Sequence, residues 1–100
     1  MSMSKTIIQF GFRNVLHSML QGKIVVDCRV LRNPYKHGVP DEQLREQVTQ
    51  DPKFHEIVSR ATSLLQQYDR VYIGCEFGRH RSGAVARAVA AATGADIKLL

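Results

Sequence analysis

The chain has 100 residues, 44% of them hydrophobic and 23% charged, the proportions of an ordinary folded domain rather than of a disordered segment. No apolar run approaches the roughly 20 residues that a membrane helix needs, and no secretory leader is evident, so a cytoplasmic protein without membrane attachment is expected. A net charge of +5 favours anionic partners over cationic ones.

No Pro/Gly/Ser-rich linker divides the sequence, and one domain over residues 1–100 is expected. Thr6 to Phe10 reads as a short strand ended by Gly11. Phe12, Val15, Leu16, Met19 and Leu20 recur at helical spacing and predict a helix over 12–20, stopped by Gly22. Lys23 to Cys28 is a continuous apolar run with polar ends, the pattern of a central parallel strand buried on both faces. Residues 29–40 contain Asn33-Pro34, Gly38 and Pro40 and predict a long loop. Asp41 caps a short helix carrying Leu44 and Val48. Asp51-Pro52 is a start signal for a longer helix, whose stripe is Phe54, Ile57, Val58, Ala61, Leu64, Leu65 and Tyr68. Val71 to Cys75 is the next buried strand. An Ala/Val-rich helix follows from Gly83 to Ala92 and ends at Gly94, and Ile97–Leu100 adds a last edge strand. Strands alternating with helices predict an α/β fold: a small three-layer domain whose mostly parallel sheet of about four strands is flanked by helices.

Two cysteines in different strands, without C-x-x-C spacing, predict reduced thiols and no metal site. In such sheets ligands bind beyond the carboxyl ends of the strands. Two strands here end in polar clusters, Asp27-Cys28-Arg29 and the run from Cys75 to Ser82. The second lies between a strand and a helix N-terminus, where unpartnered N–H groups and the helix dipole favour an anion. Gly78 lies in the loop, and Arg79, His80 and Arg81 set cationic or switchable side chains beside it. A phosphate is the ligand this arrangement suggests.

Cys75, five residues, Arg81 and Ser82 also reproduce the spacing of the cysteine-dependent phosphatase loop. There a thiolate attacks phosphorus while the arginine holds the oxygens bidentately. The chemistry further needs an acid for the leaving oxygen, for which Asp27 and Asp41 are the candidates. Gly74 stands where such enzymes commonly have an orienting histidine. A bland alternative leaves Cys75 as a small buried apolar residue at a strand end. A purely structural interaction domain, with an apolar helix stripe as its oligomer face, is a third reading.

Three ordered segments go further: Phe10-Gly11-Phe12-Arg13; Val26 through Asp27, Cys28 and Arg29 to Asn33-Pro34-Tyr35; and Ile73-Gly74-Cys75 through Gly78 to Ser82. In these the chain resembles the C-terminal domain of the RapZ family of RNase adapter proteins, over most of its length. The resemblance implies an α/β module that binds a phosphorylated amino sugar and contacts RNA. It implies a ligand loop of Gly74, Cys75, Gly78, His80, Arg81 and Ser82, faced by Asp27, Arg29 and Asn33. Arg79 joins the set by its place in the loop. Cys75 would then be a loop residue and not a nucleophile. No cofactor is implied; a separate ATP-binding partner protein would supply the family's kinase-like domain, and a homo-oligomer stays open under the structural reading. The family's Thr-Gly after the cysteine is Glu76-Phe77 here, and its histidine after Asn33-Pro34 is Tyr35. A carboxylate and a ring beside the cradle would repel or crowd a phosphate unless both turn away.

Overall fold

The computed structural model describes residues 4–100. Four strands form one sheet: β1 (Thr6–Gly11), β2 (Val25–Asp27), β3 (Arg70–Cys75) and β4 (Asp96–Leu99), in the order β2-β3-β1-β4. All three pairings are parallel. Three helices accompany them, α1 (Asp41–Val48), α2 (Phe54–Gln67) and α3 (Arg81–Thr93). This is the α/β architecture expected from the alternation of elements.

The apolar residues divide by the period-two alternation of the strands. Ile7, Val26, Val71, Ile73 and Cys75 point to one face, where they meet Ala61 and Leu65 of α2 and Val85 and Val89 of α3 in the main core. Ile8, Phe10 and Tyr72 point to the other, where Phe12, Val15 and Leu20 cover them. The third layer is therefore thin. It is built from the β1–β2 connection rather than from an α-helix.

Here the helix expected over residues 12–20 is corrected. The segment contains two 3₁₀ turns, Phe12–Asn14 and His17–Leu20, separated by extended backbone at Val15 and Leu16. Phe12, Val15 and Leu20 reach inward, whereas Leu16 is 70% exposed. The spacing counted as one helical stripe belongs to a chain that crosses the sheet and anchors at intervals. Tertiary bonds hold the first turn open: Arg13 N–H donates to the Glu76 carbonyl at 3.1 Å.

β2 is an edge strand, not the central one its apolar run suggested. It also stops early, because the Asp27 carboxylate accepts Arg29 N–H at 2.9 Å and turns the chain into a 3₁₀ turn at Cys28–Val30. Asp41 is the first residue of α1, with Pro40 at the cap position, so its side chain is free for another partner. Asp51 accepts Lys53 N–H at 2.9 Å in a turn that precedes α2, which begins at Phe54. Gly94 closes α3 in the left-handed region at φ 76°.

The register decides where function can lie. Asp27 pairs with Gly74, and Gly11 pairs with Cys75, so β1, β2 and β3 end together at one edge of the sheet. Gly74 is fixed by packing, because a Cβ there would stand 2.3 Å from the ring of Phe10, its neighbour on β1.

Candidate functional site

Loop residues 76–80 leave β3 at this shared edge and enter α3. Their carbonyl oxygens are turned toward β1 by three donors. Arg13 N–H reaches Glu76 O at 3.1 Å, Asn14 Nδ2 reaches Phe77 O at 3.5 Å, and Gln9 Nε2 reaches Gly78 O at 2.7 Å. The backbone N–H groups of Phe77, Gly78, Arg79, His80 and Arg81 find no acceptor among the described residues. A loop with its carbonyls tied and its amides left without acceptors has donors to offer an anion. Gly78 sits at φ 77°, and a Cβ on it would approach Gly11 N to 2.6 Å, so both conformation and space require glycine.

A cleft of about 540 Å³ opens over this loop, lined by Asn14, Asn33, Tyr35, Cys75, Phe77, Arg79, His80 and Arg81. No carboxylate lines it. Arg81 Nη1 donates to the carbonyls of Arg29 and Leu31, each at 3.2 Å. These bonds fix the guanidinium across the loop that follows β2 without neutralising it, and its remaining N–H groups stay available. Cys75 Sγ lies 3.2 Å from Ser82 Oγ and accepts Ser82 N–H at 3.3 Å. Ser82 is fully buried, so it supports the loop from below.

The Glu76 carboxylate turns away from the cleft, whereas the Phe77 ring stays in its lining. Arg13 Nε holds the Glu76 carboxylate at 2.7 Å, and the same guanidinium lies 5.2 Å from the centre of the Phe77 ring. The residues that replace Thr-Gly are thus accommodated by a single arginine at the end of β1.

His80 Nε2 lies 2.8 Å from Asp41 Oδ1, and the His80 ring stacks on Tyr35 with centroids 6.4 Å apart. The His80 hydrogen bond holds the Asp41 carboxyl below its ordinary range. Asp27 is embraced by Arg29, whose Nη2 donates to Oδ2 at 2.8 Å and whose Nε donates to Oδ1 at 3.0 Å. Burial pushes the Asp27 carboxyl up, but the Arg29 bonds and charge outweigh it and the net shift is downward. Arg29 in turn lies 3.7 Å over the Phe12 ring. Cys28 is fully buried, and desolvation first, then the neighbouring Cys75, pushes its thiol up to about 12.

Of the residues singled out from sequence, Asn33, Cys75, Arg79, His80 and Arg81 come together around the cleft, with Gly78 and Ser82 shaping it. Gly74 supports Phe10 instead. Asp27 and Arg29 stand at the adjoining strand end but are engaged with each other. Both acid candidates, Asp27 and Asp41, have their carboxyls held below the ordinary range, and neither lines the cleft, where His80 is the group able to donate a proton. Sequence reasoning missed Asn14 and Phe77 as lining residues. Asn14 was hidden by the helix expected over its segment. Phe77 was read only as an obstruction, yet a large ring in a ligand loop was itself a signal.

Fold and site together define a parallel α/β domain with a strand–loop–helix cleft at the carboxyl edge of its sheet. Comparison with known proteins narrows this: the chain belongs to the RapZ C-terminal domain family, whose profile matches residues 3–99. It is 32% identical to a nucleotide-binding protein of Parafrankia sp. (strain EAN1pec), over 94% of this chain and 38% of that one. It is 35% identical to a nucleotide-binding protein of Pelobacter propionicus, over 90% and 37% respectively. A relative from Acidiphilium cryptum, also named a nucleotide-binding protein, is 32% identical over 80% and 31%. The chain spans about a third of the length of such relatives. No helix among the described residues is long and apolar enough to cross a membrane.

Proposed function

We propose that this domain binds a phosphorylated small molecule without transforming it, taking the phosphate on the amides of residues 77–81 and on Arg79 and Arg81. One observation carries the reading. Five successive N–H groups, of residues 77–81, have no acceptor among the described residues, and four of these residues, Phe77, Arg79, His80 and Arg81, line a cleft whose charged lining is cationic only. Backbone amides at a helix N-terminus and an arginine fork supply directional donors to phosphate oxygens, and the surrounding protein lowers the dielectric. The family and the names of the relatives, nucleotide-binding proteins, are consistent with a phosphate-bearing ligand.

The test is calorimetric titration with inorganic phosphate and with phosphate monoesters, among them an amino-sugar phosphate. Arg81→Ala is expected to weaken binding by about 1.5–3 kcal/mol, the range for hydrogen bonds to a charged group. Unchanged affinity in that variant removes Arg81 from the site and the reading with it. The same samples should leave an aryl phosphate unhydrolysed. Turnover that disappears in Cys75→Ser would replace a binding module with a phosphatase. A ligand that proves to be RNA would show itself by log affinity falling with log salt, at about −0.7 per phosphate neutralised.

A further inference from the structure

The phosphate nest occupies only the floor of the cleft, and its walls have a different chemistry. Seven aromatic residues occur in the chain. Phe10, Phe54 and Tyr72 are spent on the core, whereas Phe77 and Tyr35 are 56% and 62% exposed and both line the cleft. The strand order sets them apart. Tyr35 lies on the loop that follows β2, and Phe77 is tied to the end of β1, so they stand on either side of the end of β3.

Each ring is held by a neighbour that leaves it open. Phe77 has the Arg13 guanidinium 5.2 Å from its centre, and Arg13 is itself fixed by Glu76 at 2.7 Å. Tyr35 stacks on His80, and its N–H donates to Asn33 Oδ1 at 3.1 Å. An asparagine accompanies each ring in the lining. Asn33 has its oxygen engaged by Tyr35, so its amide NH2 is what it offers. Asn14 has its NH2 directed at Phe77 O, so its oxygen is what it offers. One wall therefore presents a donor and the other an acceptor, each beside a flat apolar surface.

Resting on the phosphate reading above, we propose that the ligand is a nucleoside monophosphate, its phosphate on loop 77–81 and its base against Phe77 and Tyr35, rather than a bare sugar phosphate. A planar heteroaromatic ring satisfies both features of the walls. Its faces stack on exposed side-chain rings, and its edge carries the donors and acceptors that two asparagine amides can meet. A sugar phosphate satisfies the floor and leaves the rings wet. A cleft of about 540 Å³ is within the range of sites for ligands of nucleotide size, roughly 300–1,000 Å³.

The experiment compares the four 5′-ribonucleoside monophosphates, ribose 5-phosphate, glucosamine 6-phosphate and inorganic phosphate by titration on the full chain, alone and with Phe77→Ala, Tyr35→Ala and Arg81→Ala. At least one nucleotide is expected to bind about tenfold or more tighter than ribose 5-phosphate, the scale of one base–aromatic stack. Phe77→Ala should collapse that ratio toward one. Arg81→Ala should weaken every phosphate while leaving the ratio in place. Ribose 5-phosphate or glucosamine 6-phosphate binding as tightly as every nucleotide overturns the base assignment and spares the phosphate site. A ratio that survives Phe77→Ala and Tyr35→Ala overturns it too. Failure of Arg81→Ala to weaken inorganic phosphate, or no binding of any phosphate, overturns the floor on which both readings rest.

Discussion

His80 Nε2 and Asp41 Oδ1 lie 2.8 Å apart, so the first residue of α1 anchors the last loop residue before α3. The two residues are 39 positions apart in the chain. Each was read from sequence for a separate task, one as a ligand-loop histidine and one as a helix cap or acid. Their pairing turns both into supports that fix the far wall of the cleft. Asp41→Ala should therefore weaken phosphate binding modestly, while the melting temperature stays close to that of the parent. A large drop in melting temperature would mean that the pair holds the fold rather than the loop.

Arg13 and Glu76 set up a double-mutant cycle. Arg13→Ala leaves the Glu76 carboxylate without its partner beside an anion site, so phosphate affinity should fall. Adding Glu76→Ala should restore most of it, because the loose negative charge is then gone. Both side chains are partly exposed, and the stability change of either single variant should stay under about 1 kcal/mol. Titration of the four proteins checks this, and additive losses in the double variant would show that Arg13 contacts the phosphate directly.

Gly78→Ala should be strongly destabilising. It forces an L-residue to φ 77° and drives a methyl to 2.6 Å from Gly11 N, a backbone atom that cannot swing aside. The conformational strain alone is about 1–3 kcal/mol. Gly74→Ala acts differently, since the obstacle is the Phe10 ring at 2.3 Å. Overpacking of that kind costs about 1–3 kcal/mol, and Phe10→Leu in the same chain should recover part of it. Urea melts of the two glycine variants, with and without Phe10→Leu, should show rescue for position 74 only.

Cys28 makes a pH prediction with a definite sign. Its thiol is raised from 9.0 to about 12 in the folded chain. The unfolded chain therefore loses this proton first. The group's contribution is fully present below pH 9 and is lost as pH rises toward about 12, with a limiting slope of about 1.4 kcal/mol per pH unit. Stability measured from pH 8 to pH 11 should fall along that window, and Cys28→Val should flatten the slope. An identical slope in the variant would assign the loss to other groups.

Much of this architecture was legible in the chain because it rests on local rules. Short strand-like runs marked β1 and β3, the Phe54 to Tyr68 stripe marked α2, and Gly94 marked the end of α3. The Cys75 to Ser82 segment was legible as a loop between a strand and a helix because a strand, a glycine and a helix start occur there in succession. Tertiary packing decided what spacing alone does not carry. Phe12, Val15 and Leu20 anchor a chain crossing the sheet through 3₁₀ turns, since Arg13 and Asn14 bond to the β3 loop instead of closing helical turns. Asp27, near the site in sequence logic, is withdrawn into a fork with Arg29. Residues 33 to 35 reach the cleft only because parallel pairing in register ends β1, β2 and β3 at one edge. A sequence determines which segments become strands and helices through contacts a few residues long. Which loops share a cleft depends on strand order, set by burying two apolar faces at once, and that is a property of the whole fold.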